Sequence, residues 1–486
     1  MKKILSLSLL ILLGGCGKKN NDDVNNSASH IEQKTAAEAS ASAQIKSVKT
    51  DYLSRIHTHT RFHSPVAALN VLNADFSQPS NYEWLLTDKY SDHYLKNKHA
   101  LNVDTQAVLN SVDVESLPVQ QKTDYLSLRW RTDMELISER FPSRFLPIDE
   151  YSGVISEFAA ALKLEGEEVY TCNTLSKKYA LVPQLIKHTI TRLKEGQFNS
   201  IYLSAHQVKN ILKQVAWVTE QNVGCAQSDS INNALNELNL FLEQEYLAKS
   251  RAHDGLWHLP NGKLWYQHKL NTYAGGAVDI AKLHQFALSQ LSILQKPVQQ
   301  FNKISNLGSR PTDALALYRD CHAINENKPK EASSIIPEEL TCAQTLAVKM
   351  LPAMMCVEQF KHNEEQLMNS CEIPALITYQ RWLAALVIDT GMHHLGWSSK
   401  QVALFSKQQM LTGSNTKLTG IRAYQSSDIY ALPAVNSAPI STLFMLNELY
   451  VKHKNKFNEV QLFLDWLKES TPQPISALEI KLTELK

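Results

Sequence analysis

Residues 176–196 read SKKYALVPQLIKHTITRLKEG. Leu181, Leu185, Ile186, Ile190 and Leu193 recur at three- and four-residue intervals, the spacing of an apolar stripe on an α-helix. Gly196 stands where a C-cap glycine belongs. The pattern repeats along the chain. SAHQVKNILKQVAWV opens at a candidate N-cap, Ser204, and keeps Val208, Ile211, Leu212 and Val215 on one face. NALNELNLFLEQEYLAKS and FNEVQLFLDWLKES carry the same periodicity, and Asp279 is placed to cap DIAKLHQFALSQLSIL. Ser398 and Gln401 have the spacing of a capping box ahead of VALFSKQQML. LPNGK and TGSN supply turns between helices. Alternating strand patterns are scarce and no repeat is visible, so the expected body is all-α.

The N-terminus carries a different signal. Lys2 and Lys3 precede the apolar run Ile4 to Leu13, which ends in Leu13-Gly14-Gly15-Cys16. The run has signal-peptide length and is short for a membrane span. It resembles a bacterial lipobox, in which the cysteine is acylated (palmitate and related chains) and becomes the new N-terminus. Gly17 after Cys16 favours the outer membrane over inner-membrane retention in a Gram-negative host. Residues 17–46 are polar or small (KKNNDDVNNSASH, EASASAQ) and read as a disordered tether. The expected organisation is a signal peptide over 1–16, a tether over 17–46 and a helical body over 47–486, lipid-anchored in the cell envelope and facing the periplasm.

Composition narrows the function. A net charge of +1, with no basic block, gives nucleic acid no electrostatic footprint. No second apolar stretch of spanning length is evident. Beyond Cys16 six cysteines remain, Cys172, Cys225, Cys321, Cys342, Cys356 and Cys371. They allow up to three disulfides in an oxidising compartment and fifteen connectivities. Cys172–Cys225 is the expected pair, since those two sit apart from the other four. No C-x-x-C, G-x-S-x-G or Walker-type loop occurs, and GSNTKLTG has its glycines and lysine in the wrong order for phosphate. His57, His59 and His63 form the densest histidine group but lack a neighbouring carboxylate or cysteine. Glu358 and His362 share a helix face without a third ligand, and His253, His258 and His268 read as packing or surface residues.

Four segments, in order, resemble the bacterial family called domain of unknown function 885. VESLPVQQKTDYLSLRWRTDMELISERFPSRFLPIDEYSG is similar to its N-terminal run, and VPQLIKHTITRLKEGQFNSIYLSAHQVKNILKQV to the stretch around its L-x-E-G. EYLAKSRAHDGLWHLPNGKLWYQHKLNTYAGGAVDIAKLHQFAL resembles its G-L-x-x-L-P-x-G-x-x-x-Y, and RWLAALVIDTGMHHLGWSSKQVALF its V-D-T-G-x-H-x-x-G-W-S. The resemblance implies a helical, zincin-like, metallopeptidase-related body. Members that look catalytic carry H-E-x-x-P-G-H-H and E-G-W-A, which would hold Zn²⁺ and activate its water. This chain has no H-E-x-x-H and no E-G-W. The register that sets LTCAQTLAVKM on the family's metal helix puts Cys342 and Ala343 where the first His-Glu pair belongs. Further on, against R-Y-x-x-x-P-G-Q-x-x-x-Y, Pro433 fits the proline, while Asp428, Ile429, Ala434, Val435 and Pro439 replace Arg, Tyr, Gly, Gln and Tyr.

The resulting expectation is a pseudoenzyme: no cofactor, no metal, no catalytic residue, and a scaffold that binds a peptide or envelope-protein partner or is purely structural. An active hydrolase with a relocated site is the alternative. The residues expected to line any surviving cleft are Asp389, His393, His394, Trp397, His284 and Tyr266. The competing reading makes Asp389 and His393, four residues apart, partners within one helix.

Overall fold

The computed structural model describes residues 23–56, 86–164, 171–221, 228–304, 336–409 and 432–485. Cys16, His57, His59, His63, Cys225, Cys321, Asp428 and Ile429 lie outside them. The described residues form helices throughout, with one isolated β-bridge, Ser204 to Arg251, and no strand. In chain order the α-helices are α1 Asp23–Ile56, α2 Asp92–Asn110, α3 Val119–Ser138, α4 Val154–Leu164, α5 Cys172–Tyr179 and α6 Val182–Phe198. Then come α7 Ala205–Gln221, α8 Asp229–Leu240, α9 Gly262–Ala274, α10 Ile280–Ile304, α11 Glu338–Phe360 and α12 Glu364–Ser370. The last five are α13 Ile373–Thr390, α14 Ser399–Gln408, α15 Ala438–His453, α16 Val460–Ser470 and α17 Ile475–Glu484.

Local signals explain these elements. Pro183 occupies the first turn of α6, where its missing N–H costs nothing. Leu185, Ile186, Ile190 and Leu193 face inward, whereas Leu181 precedes the helix and is exposed. Gly196 is not the expected C-cap. The helix runs on to Phe198, and Gly196 permits a close approach instead: a Cβ there would lie 2.9 Å from the Ile201 carbonyl and 3.1 Å from Phe145. The three expected caps are present. Ser204 and Gln207 cap reciprocally, Asp279 accepts from the N–H groups of Ala281 and Lys282, and Ser398 with Gln401 closes a capping box.

Helix α1 departs from expectation. The stretch read as a tether over 17–46 is helical from Asp23, and Ala41, Ile45, Val48 and Tyr52 are buried against Leu101, Leu109 and Leu128. Small residues in EASASAQ suit close helix packing as well as disorder, and composition alone does not separate the two. The body therefore begins before residue 47.

A second core joins α4 to α8, and the largest joins α9 to α17. Helix α11 runs through the latter, packed on α9, α13 and α15. Its Glu339–Phe360 portion is long and apolar enough to cross a membrane, contrary to expectation, but is 72% buried among neighbouring helices, as befits a core helix. The Cys356–Cys371 disulfide ties the end of α11 to the start of α13. Cys172 and Cys342 are also disulfide-bonded, and the partner expected for Cys172 is outside the described residues.

Candidate functional site

Helices α9 and α13 bring together the residues singled out from the two central motifs. Asp389 is fully buried. Its Oδ2 accepts hydrogen bonds from the Tyr266 hydroxyl (2.9 Å), the Ser437 hydroxyl (2.5 Å) and the Ala434 N–H (3.0 Å). All these donors are neutral. Burial therefore outweighs them and pushes the Asp389 carboxyl up to about 7. The Tyr266 hydroxyl, buried beside that carboxylate, is held well above its ordinary range.

The helix changes gauge at this point: Gly391–Leu395 forms a π-turn, a feature that recurs at functional sites. His393, fully buried, stacks on Tyr266 with ring centroids 5.7 Å apart. Its Nδ1 accepts the Leu256 N–H at 3.2 Å, so the proton sits on Nε2, which points at Asp389 Oδ1 from 3.6 Å. His284 Nδ1 lies 2.6 Å from Thr390 Oγ1. The Thr390 hydroxyl gives its own hydrogen to the Leu386 carbonyl, so His284 is the donor. Burial, then the nearby His394, holds His284 below its ordinary value. Trp397 meets His284 edge-on and covers Gly391, where a Cβ would lie 2.5 Å from the indole. His394 is half-buried and its imidazole is lowered by burial, then by Lys263.

Most positions of the two motifs thus have a packing task. Gly255 lets the chain pass Met392, where a Cβ would meet the carbonyl oxygen at 2.1 Å, and Gly262 does the same under the Leu256 carbonyl. Leu256 feeds its N–H to His393, Tyr266 its hydroxyl to Asp389, and Gly396 turns the chain at φ +82°. What the arrangement can do chemically is join two distant segments through a dry polar network. Asp389, His393 and Tyr266 have no exposure from which to reach a substrate.

Two donors of this network, Ser437 and Ala434, were not anticipated. A signal existed for the second: Ala434 stands where the family tends to have glycine, and its backbone adopts φ +73°, a left-handed conformation that glycine favours. On the metal-helix register, Cys342 and Ala343 are fully buried in α11. Among the described residues no cluster of three His, Cys, Asp or Glu side chains is placed to hold a metal ion. His253, Trp257 and His258 form an aromatic group at the surface, and His268 stacks on Phe141.

A further polar feature also went unread. Lys89 and Glu157 form a buried ion pair (2.5 Å), with the Leu86 N–H on the second Glu157 oxygen (2.8 Å). The pair lines a small pocket of about 10 Å³ together with Asp88 and His188. Its one sequence clue is LPIDEYSG, whose Gly153 (φ +92°) turns the chain into α4 and so places Glu157.

Residues 80–341, more than half of the chain, match the model of a family described as bacterial protein of unknown function (DUF885). The chain belongs to this family. No curated protein matches it. Among solved structures, a candidate lipoprotein from Colwellia psychrerythraea shares the fold with a TM-score of 0.54 at 10% identity, over 90% of this chain and 98% of that one. A candidate lipoprotein of unknown function from Shewanella oneidensis matches equally, over 90% of this chain and 100% of its own. The DUF885 match ends one residue before Cys342.

Proposed function

We propose that this DUF885 member is an envelope lipoprotein, acylated on Cys16 and facing the periplasm from the outer membrane. Its zincin-like scaffold is a pseudoenzyme that binds a peptide or envelope protein, or supports the envelope structurally. The observation that carries the non-catalytic reading is the buried Asp389 network: Asp389 is held by Tyr266, Ala434 and Ser437, and Asp389, His393 and Tyr266 have no exposure to solvent. Supporting it, the two positions set against the metal-binding His-Glu pair are a disulfide-bonded cysteine and an alanine, both in the core. The N-terminal pattern carries the anchor, and two proteins of the same fold are described as candidate lipoproteins.

One preparation tests both halves. Protein extracted from native membranes with detergent is expected to yield an N-terminal peptide beginning at acylated Cys16. It is expected to carry far less than one zinc per chain and to show no chelator-sensitive peptide cleavage. An unmodified N-terminus overturns the anchor. Stoichiometric, tightly held zinc overturns the pseudoenzyme.

A further inference from the structure

Helix α9 carries a second functional face. Trp265, Lys269 and Tyr273 recur every fourth residue and share one side of the helix. The Lys269 Nζ lies 5.5 Å from the Trp265 ring centroid and 5.7 Å from that of Tyr273. Phe141 stacks on Trp265 (6.3 Å) and on His268 (5.2 Å). Trp265 and His268 are buried, while Phe141, Lys269 and Tyr273 keep partial solvent contact. The half-buried Lys269 side chain therefore places its ammonium between two aromatic rings.

Among the described residues, no hydrogen bond or ion pair reaches this Nζ; its contacts are the two ring faces. Asp149 and Glu339 act on it electrostatically without pairing with it. Asp149 is otherwise engaged, accepting from the N–H groups of Tyr151 and Ser152 and from the Ser152 hydroxyl. Burial pulls the Lys269 amine down, so its surroundings oppose the charge it carries. Asp149, Glu339 and the aromatic faces offset part of that cost, and no hydrogen bond from a carboxylate completes it. Lys89, which is buried, has its carboxylate partner built in.

We infer that Lys269 is the carboxylate-binding centre for a ligand that joins a single carboxylate to an apolar or aromatic group. The ammonium supplies the missing half of a charge-assisted hydrogen bond. Trp265, Phe141 and Tyr273 supply the apolar wall. Asp149 and Glu339 stand close enough to repel a polyanion, which selects a monocarboxylate over a phosphate or nucleotide. The site holds whether or not the chain catalyses anything, since none of its residues belongs to the Asp389 network.

The test is isothermal titration of the full chain with N-acetyl-phenylalanine and its neutral amide. The acid is expected to bind at least tenfold more tightly than the amide. Lys269→Met is expected to reduce the acid to the level of the amide without lowering the thermal midpoint, and Lys269→Arg to keep part of the preference. Equal binding of acid and amide to the unaltered chain overturns the inference, as does the absence of saturable acid binding in the millimolar range. So does undiminished acid binding by a folded Lys269→Met variant. The acid-against-amide comparison needs no variant, so the inference stands or falls even if substitutions at 269 fail to fold.

Discussion

Two neighbouring faces of α9 show opposite solutions to burying a charge. Tyr266 turns to Asp389, where a carboxylate without any cation is held by two hydroxyls and a backbone N–H. Lys269, three positions on, turns to aromatic rings, and no carboxylate hydrogen-bonds to it. The first face is closed and internally satisfied, and its charge is a structural debt met within the chain. The second is open and unsatisfied, and its charge is useful only to something from outside. A buried ionisable group is therefore not in itself a sign of a site. What separates the two is whether the fold already provides its partners.

The sharpest way to break this contrast is to truncate both groups. Asp389→Ala leaves the Ala434 N–H and two hydroxyls without their acceptor, and should cost on the order of 3–5 kcal/mol. Lys269→Ala should cost no more than about 0.5 kcal/mol, because no polar partner is orphaned. Urea denaturation measures both, and similar losses would abolish the distinction.

A smaller effect lies in the pH dependence. The folded state holds the Asp389 proton up to about pH 7, against an ordinary value of 3.8. A raised carboxyl favours the folded state below its unfolded pKa, and that advantage is lost as pH climbs through the folded value. Stability should thus fall between about pH 4 and pH 7, by at most on the order of 4 kcal/mol from this group. Asp389→Asn should flatten the decline, measured as the difference in urea midpoint between mildly acidic and mildly alkaline buffer. An unchanged slope would place the titration elsewhere. A gain is expected from Ala434→Gly, which relieves the left-handed backbone (φ +73°) and should raise stability by about 0.5–1 kcal/mol. A lower urea midpoint would mean that alanine sits in that bend without strain.

Much of the fold was legible because helices and caps are written locally: the α6 stripe and the Ser204, Asp279 and Ser398 caps each occupy a few adjacent residues. All six candidate residues also lie in one neighbourhood, linked through Tyr266, His393 and Trp397. Their use was harder to foresee. An Asp four residues before a His suggests an intrahelical pair, yet the shorter contacts of Asp389 come from Tyr266, Ala434 and Ser437, far away in sequence. Gly196 looked like a cap because its position in the sequence does not show what crosses it. Helix α1 was missed because its apolar residues are few and widely spaced. Lys269 carried no signal, since a lysine without a partner is defined by its surroundings.

Helix α1 also bears on how far the body stands from the bilayer. From Asp23 to Ala41, the first of its residues seated in the core, a helix rises about 27 Å. With Cys16 acylated as proposed, this helix would act as a strut on the lipid side of the body. Its length is set by residue count, about 1.5 Å for each residue added or removed, and its orientation relative to the body by the packing of Tyr52 and Ile45.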